Sequence, residues 1–496
     1  MEKIPQAAPG VRSAESFRLE KAFVNGEWIS AKSGATYQVI NPSNQAVLGV
    51  VPDMNGEDTK AAIEVAYKTF QTWRNVTPKE RSTILKRWFE LTVLHKQELA
   101  KLITAEMGKP MADSLGEVGF GGSFIEWYAE ETKRVYGDVI NGSNPQRRLL
   151  VLKQPIGVAA MITPWNFPNA MITRKACAAI AAGCTVVIKP AEDTPYSALA
   201  LCQLAAEAGL PPGVLNVVTS SRGNAPAIGQ AMCESPLVTK MSFTGSTATG
   251  KIILRQCAGT VKKTSMELGG NAPYIVFDNA DLEKAVKGTI GSKFRCSGQT
   301  CVSANRILVQ ENIYEDYVKK LAEVMKQELK LGDGFESGVN LGPLINKKAV
   351  DKVSSIVDDA VANGARVALG GTRNERGANY YNPTLLADVK LDMRCGQEEI
   401  FGPVAPIFKF KTEDEAVAIA NATTSGLAGY FFSRDIGQIW RVAERLDYGM
   451  VGVNEGVISC VEAPFGGFKE SGLGKEGSMY GIEEYLEMKY VCMGLA

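Results

Sequence analysis

Cys301 closes the run Arg295-Cys296-Ser297-Gly298-Gln299-Thr300-Cys301, and Glu267 stands in Met266-Glu267-Leu268-Gly269-Gly270. The first is a nucleophilic thiol at the end of a glycine-containing turn. The second is a carboxylate just ahead of two glycines, where a backbone can approach a ligand closely. A thiol enzyme recruits a base to activate its nucleophile or a water. The chain has one histidine, His95, within Leu94-His95-Lys96-Gln97, which reads as an amphipathic surface helix. With histidine this scarce, a carboxylate is the expected base.

Three further segments have side chains suited to a ligand. Gly245-Ser246-Thr247-Ala248-Thr249-Gly250-Lys251 lies between a predicted strand and a predicted helix. Free amides and the helix dipole favour an anion there. The turn nearly matches a triphosphate-binding loop, but Ile252 replaces the Ser or Thr that would hold Mg²⁺, which argues against a nucleotide triphosphatase. Lys189-Pro190-Ala191-Glu192 ends a predicted buried strand, the place where open parallel sheets bind ligands. In Thr163-Pro164-Trp165-Asn166-Phe167-Pro168, an Asn held between prolines and aromatics can aim its amide at a developing oxyanion. Each has a plainer reading, respectively a glycine-capped turn, a solvated charged loop and a packed aromatic turn.

These residues need a scaffold of strand-to-turn-to-helix units, and the pattern supplies one. Strands are predicted at 157–163, 185–189, 214–219 and 238–243, alternating with helices at 169–182, 197–208, 225–233 and from about 248. A second series runs through 274–277, 282–292, 306–309, 314–329, 366–369, 406–410, 413–420, 427–432 and 440–446. The βαβα rhythm argues for parallel sheets with helices on both faces. The polar stretch 141–148 with 149–153 reads as a protruding hairpin arm, and 485–492 has the period of a strand.

With 496 residues the chain exceeds a single core, so at least two domains are expected. The 54 basic and 54 acidic residues cancel without a charge run, which points away from nucleic acid and anionic membranes. The longest apolar run, 176–188, is too short to cross a bilayer and is split by Gly183; it reads as a buried helix followed by a buried strand. The first twenty residues mix Lys3, Arg12 and Arg18 with Glu2, Glu15 and Glu20, unlike a secretory or transit segment. Ten scattered cysteines with no Cys-x-x-Cys point to reduced thiols in the cytoplasm and offer no metal site.

In order along the chain, Pro-Trp-Asn, Lys-Pro-Ala-Glu, Phe-Thr-Gly-Ser, Glu-Leu-Gly-Gly, Gly-Gln-Thr-Cys, Glu-Glu-Ile-Phe-Gly-Pro and Pro-Phe-Gly-Gly resemble the NAD(P)-dependent aldehyde dehydrogenase superfamily over essentially the whole chain. The resemblance implies two doubly wound α/β domains, one Rossmann-like for the cofactor and one catalytic, plus a small β bridging element. The implied boundaries are 1–140 and 159–266 for cofactor binding, 267–470 for catalysis, and 141–158 with 480–496 for bridging in a homo-oligomer, a dimer or tetramer. Cys301 would be the nucleophile, Glu267 the general base and Asn166 an oxyanion donor beside the Cys301 backbone N–H. Trp165, Lys189, Glu192, Gly245, Ser246, Thr247 and Gly250 would bind the cofactor, with Glu399 and Phe401 at its nicotinamide riboside.

Local runs around Arg174, Arg295, Lys469–Gly474 and Tyr480–Tyr485 are similar to the succinate-semialdehyde dehydrogenase family. In that family two arginines and a serine clasp the substrate carboxylate, at positions matching Arg174, Arg295 and Ser459 here. Planar charge-assisted donors suit an ω-carboxylate. Without the resemblance, Arg174 beside Lys175 reads as a solvated helix residue. A dehydrogenase of glutarate semialdehyde and a non-catalytic protein on the same scaffold are the alternatives. Glu192 favours NAD by repelling a 2′-phosphate, whereas Arg222 could neutralise that phosphate. One departure stands out: the redox-switch Cys some members carry two places after the nucleophile is Ser303 here, and Cys296 lies five places before it. Cys296 then has two readings, an inert buried thiol or a disulfide partner for Cys301.

Overall fold

A computed structural model describes residues 10–495. Glu2 and Lys3, the first nine residues of the expected 1–140 segment and the last residue of 480–496 lie outside the described residues.

The first βαβα series forms one sheet. Its five parallel strands lie in the order Leu215–Val217, Thr185–Lys189, Val158–Ile162, Val238–Thr244, Lys263–Glu267. Antiparallel strands Ala22–Val24 and Glu27–Ile29 extend one edge, and Gly472–Leu473 the other. The chain winds outward from Val158–Ile162 on one side and then crosses to the other. That reversal opens a crevice at the strands' carboxyl ends, where such sheets bind ligands. The apolar run at 176–188 divides as expected, into helix Ala170–Ala182, a left-handed Gly183 cap (φ 99°) and strand Thr185–Lys189. Every residue of that helix is buried; its alanines let it pack closely, and its three charged or polar side chains, Thr173, Arg174 and Lys175, need partners inside the protein.

The second series forms a sheet ordered Arg366–Leu369, Thr384–Ala387, Val404–Phe410, Ala304–Gln310, Ala272–Val276, Ala428–Phe432, Met450–Val453. Its strands are parallel except at the Arg366–Leu369 edge. A third, antiparallel sheet joins Leu486–Gly494, Arg147–Pro155 and Asp138–Ile140. The arm is thus a hairpin of 138–140 against 147–155, and the C-terminal strand finds its partner there. No helix among the described residues is long and apolar enough to cross a membrane.

Two expectations need correction. His95 is not on a surface helix: it is fully buried at the junction of helices Pro78–Leu94 and Lys96–Met107. Its Nδ1 lies 2.9 Å from the Leu91 carbonyl and its ring meets Phe17 edge-on. Arg174 is not solvated either, but buried within helix Ala170–Ala182.

Candidate active site

The nucleophile loop leads into strand Ala304–Gln310. Cys296, Ser297 and Gly298 are all left-handed there, with φ of 53°, 55° and 73°. Such a run is costly for residues with a Cβ, and several hydrogen bonds hold it. Asp113 accepts from the Cys296 N–H at 2.9 Å, and Ser297 Oγ donates to the Gly342 carbonyl at 2.8 Å. The Gln299 amide donates to the Cys296 and Pro343 carbonyls and accepts from the Ile345 N–H. Across the gap, Asn166 Nδ2 donates to the Gln299 carbonyl at 2.9 Å. Since a carboxamide carries two N–H donors, Asn166 keeps one in reserve.

Cys301 is half-buried and lines a cavity of about 520 Å³ between the two sheets' loops. Burial pushes its thiol up to about 12, against the pull of the Arg174 charge. Gly270 runs past it so closely that a Cβ there would collide with the Cys301 carbonyl. Glu267, the last residue of strand Lys263–Glu267, is 2% exposed and lines the same cavity. Neither of its carboxylate oxygens has a hydrogen-bond partner among the described residues. Burial, then the charge of Glu476, hold its pKa well above the usual carboxylate range. A thiol that must lose a proton and a carboxyl that readily accepts one thus face a common space.

The sequence did not point to the cluster behind Glu267. Glu476 accepts from Arg174 Nε at 2.5 Å and from Lys175 Nζ, all three buried. These cations outweigh burial and keep Glu476 ionised. The Arg174 guanidinium lies 4.1 Å from the Phe465 ring centroid, and its Nη2 has no hydrogen-bond partner among the described residues. Arg174, Arg295 and Ser459 all line the cavity with Cys301. Glu476 sits between Lys475 and Gly477 with only its acidic type to mark it, and its partners are some 300 positions away.

On the cofactor side the expected residues divide. Trp165, Gly245, Ser246, Glu399 and Phe401 line the cavity; Lys189, Glu192, Thr247 and Gly250 do not. Lys189 ends the strand beside Val158–Ile162, its carbonyl accepting from the Thr163 N–H, and its ammonium pairs with Glu192 at 3.2 Å. Burial works against the Glu192 charge, but Lys189 and the nearby Arg222 help to hold its pKa below the ordinary value. Ser246 caps helix Thr247–Ala258. Thr247 Oγ1 accepts from the Gly269 N–H, and Glu399 accepts from the Gly270 N–H at 3.0 Å. Burial lifts the Glu399 carboxyl to about 7. Phe401 is left-handed (φ 58°) and meets Trp165 edge-on at 5.6 Å. Thr244 Oγ1, on the cavity wall, is buried without a hydrogen-bond partner among the described residues.

Cys296 is also on that wall, 1% exposed, with its thiol 3.8 Å from the Asn166 carbonyl. Both Cys296 and Cys301 are free thiols.

The model of the aldehyde dehydrogenase family matches residues 28–491. A mitochondrial succinate-semialdehyde dehydrogenase of Rattus norvegicus is 59% identical, covering 95% of this chain and 90% of the relative. A glutarate-semialdehyde dehydrogenase of Pseudomonas putida is 54% identical over 98% of this chain and all of the relative. The crystal structure of an NADP-dependent enzyme of E. coli superposes with a TM-score of 0.95 at 54% identity, covering 97% of this chain and 99% of that one. A match of this extent in both sequence and structure settles the grouping: the chain belongs to the aldehyde dehydrogenase family.

Proposed function

We propose that the protein oxidises succinate semialdehyde to succinate with reduction of NAD or NADP. The observation that carries this reading is one cavity that takes in the Cys301 thiol, the Glu267 carboxylate and three carboxylate donors, Arg174, Arg295 and Ser459. A four-carbon substrate held by its carboxylate at the arginines presents its aldehyde to the thiol.

Glu267 takes the proton of the Cys301 thiol directly or through water, and the thiolate attacks the aldehyde carbon. The free N–H of the Asn166 amide and the Cys301 backbone N–H stabilise the oxyanion. The residues around the crevice fit a dinucleotide: the orphaned Thr244 hydroxyl and the first amides of helix Thr247–Ala258 suit phosphate, and the Lys189–Glu192 pair suits ribose. Glu399, Phe401 and Trp165 would hold the nicotinamide end, with Gly245 and Gly250 leaving the backbone bare around the phosphates. A nicotinamide held there would supply the hydride acceptor, and the Cys301 thiohemiacetal, on losing that hydride, becomes a thioester. Glu267, having passed its first proton to solvent, then takes a proton from a water that attacks the thioester carbon, releasing succinate and the Cys301 thiolate.

NAD is the expected cofactor, because the Glu192 carboxylate opposes a 2′-phosphate, with NADP the second reading because Arg222 could neutralise that phosphate. Segments 1–140 and 159–266 serve cofactor binding, 267–470 catalysis, and 141–158 with 480–496 the pairing of copies in a cytoplasmic dimer or tetramer. Glutarate semialdehyde is the second substrate reading, supported by the 54% identical relative named for it. Steady-state kinetics with both cofactors and a series of ω-carboxylated and neutral aldehydes test the proposal. Highest kcat/KM with succinate semialdehyde and NAD is expected. Equal use of neutral aldehydes would overturn the substrate assignment, and no formation of reduced cofactor would point to a non-catalytic scaffold.

A further inference from the structure

Next to the Asn166 turn lies an ion pair that the mechanism above does not use. Lys109 Nζ and Glu117 Oε2 are 2.6 Å apart, and neither side chain has any exposure. Two buried charges are tolerated only when their remaining hydrogen-bonding capacity is also used. Here it goes to one short segment. Lys109 Nζ donates a second bond, 2.6 Å, to the Asn166 main-chain carbonyl and sits 3.9 Å from the centroid of the Phe167 ring. The other oxygen of Glu117 accepts from the Asn169 and Ala170 N–H groups at 2.8 and 3.2 Å. The pair therefore grips residues 166–170 at both ends. Helix Met111–Glu131, which carries Glu117, also carries Asp113, whose carboxylate holds the Cys296 N–H. One helix start braces both walls of the gap that Asn166 Nδ2 bridges to Gln299.

We propose that Lys109 and Glu117 are positioning residues for Asn166: by clamping its carbonyl and the turn after it, they hold its free amide N–H where the oxyanion forms. The proposal rests on the reading of Asn166 as an oxyanion donor. An asparagine amide is only two rotatable bonds from its backbone, so releasing the carbonyl displaces the donor. A misplacement on the order of 1 Å costs about 10²-fold in rate. Neither residue is required to touch substrate.

A double-mutant cycle separates this role from general support. Lys109→Met with Glu117→Gln removes both charges at once, leaves similar shapes, and keeps an acceptor for the Asn169 N–H. This pair variant should lose roughly 10- to 100-fold in kcat, with cofactor affinity and the rate of Cys301 alkylation by iodoacetamide, which forms no oxyanion, as in the parent. In an Asn166→Ala background the same pair of substitutions should cost less than about twofold, the range within which independent effects add. If the losses multiply instead, or alkylation slows in step with kcat, the pair supports the fold generally and the proposal is wrong. Should Asn166→Ala itself turn over at the parent rate, the oxyanion reading fails, and the pair's role with it. If the pair variant does not fold, Glu117→Gln alone goes through the same cycle with the same two outcomes.

Discussion

At neutral pH the Cys301 thiol keeps its proton, because burial pushes it up to about 12; a base must act before it can attack. Glu267 has a raised pKa from burial and from Glu476, so it is protonated, and idle as a base, at pH values where an ordinary carboxylate would already accept. The rate therefore rises with pH through a value well above the usual carboxylate range and levels off beyond it. Glu267→Gln should remove that limb from the pH profile of kcat and slow steady turnover by about 10²–10⁴, with the first burst of reduced cofactor slowed as well. Cys301→Ala should abolish turnover and leave cofactor binding nearly intact. Asn166→Ala should slow every aldehyde, charged or neutral, by about 10²–10³ in kcat; a loss confined to carboxylated aldehydes would move Asn166 into the clasp. Cys301 and Glu267 were legible as residues because a thiol and a carboxylate beside glycines are chemically unusual neighbours. The Arg174–Lys175–Glu476 cluster was not, since nothing in the local sequence reveals a charge pairing across some 300 positions. His95 misled for the converse reason: a histidine among polar neighbours looks solvated, yet the bend between two helices turns it inward.

At the scale of elements, strand-turn-helix units were readable wherever β-branched runs alternate with Ala-rich ones. Thr185–Lys189 and helix Ala170–Ala182 fall where the pattern puts them. Helices Gly56–Trp73, Pro78–Leu94, Lys96–Met107 and Met111–Glu131 had no such rhythm to announce them. The last contains Gly116, Gly119, Gly121 and Gly122, which weaken any helix signal. A Cβ at Gly121 would run into the Asn169 side chain, which would have to shift. The 268–270 turn makes a comparable demand. Gly270→Ala would press against the Cys301 carbonyl, so the nucleophile must shift; kcat should fall by about 10²-fold for a displacement on the order of 1 Å, with the circular dichroism spectrum unchanged. Parent-like kcat in a folded Gly270→Ala protein would show that the loop yields without cost to the site.

As a whole molecule, the protein leaves the strand sheet of 138–140, 147–155 and 486–494 with an apolar outer surface. On one face Ile140, Met488 and Tyr490 are 47%, 75% and 61% exposed. Such a surface on a protruding sheet fits a contact between copies. Met488→Lys with Tyr490→Lys should reduce the mass measured by light scattering toward that of one chain; an unchanged mass would place the contact elsewhere. The cavity is likewise a property of the whole chain, since Arg174, Glu267, the Arg295–Cys301 run and Ser459 reach it from segments far apart in sequence. The most direct test of the account is the ratio of kcat/KM for succinate semialdehyde to that for butanal, which has the same carbon chain without the carboxylate. Arg174 is already committed to Glu476, so Arg295→Ala is the cleaner variant. A hydrogen bond to a charged group contributes roughly 1.5–3 kcal/mol, so the ratio should fall about tenfold to 150-fold, whereas a general structural defect would lower both terms and leave the ratio alone. A ratio that stays at the parent value in Arg295→Ala, and again in Arg174→Ala and Ser459→Ala, would contradict the carboxylate clasp and leave an aldehyde dehydrogenase with another substrate.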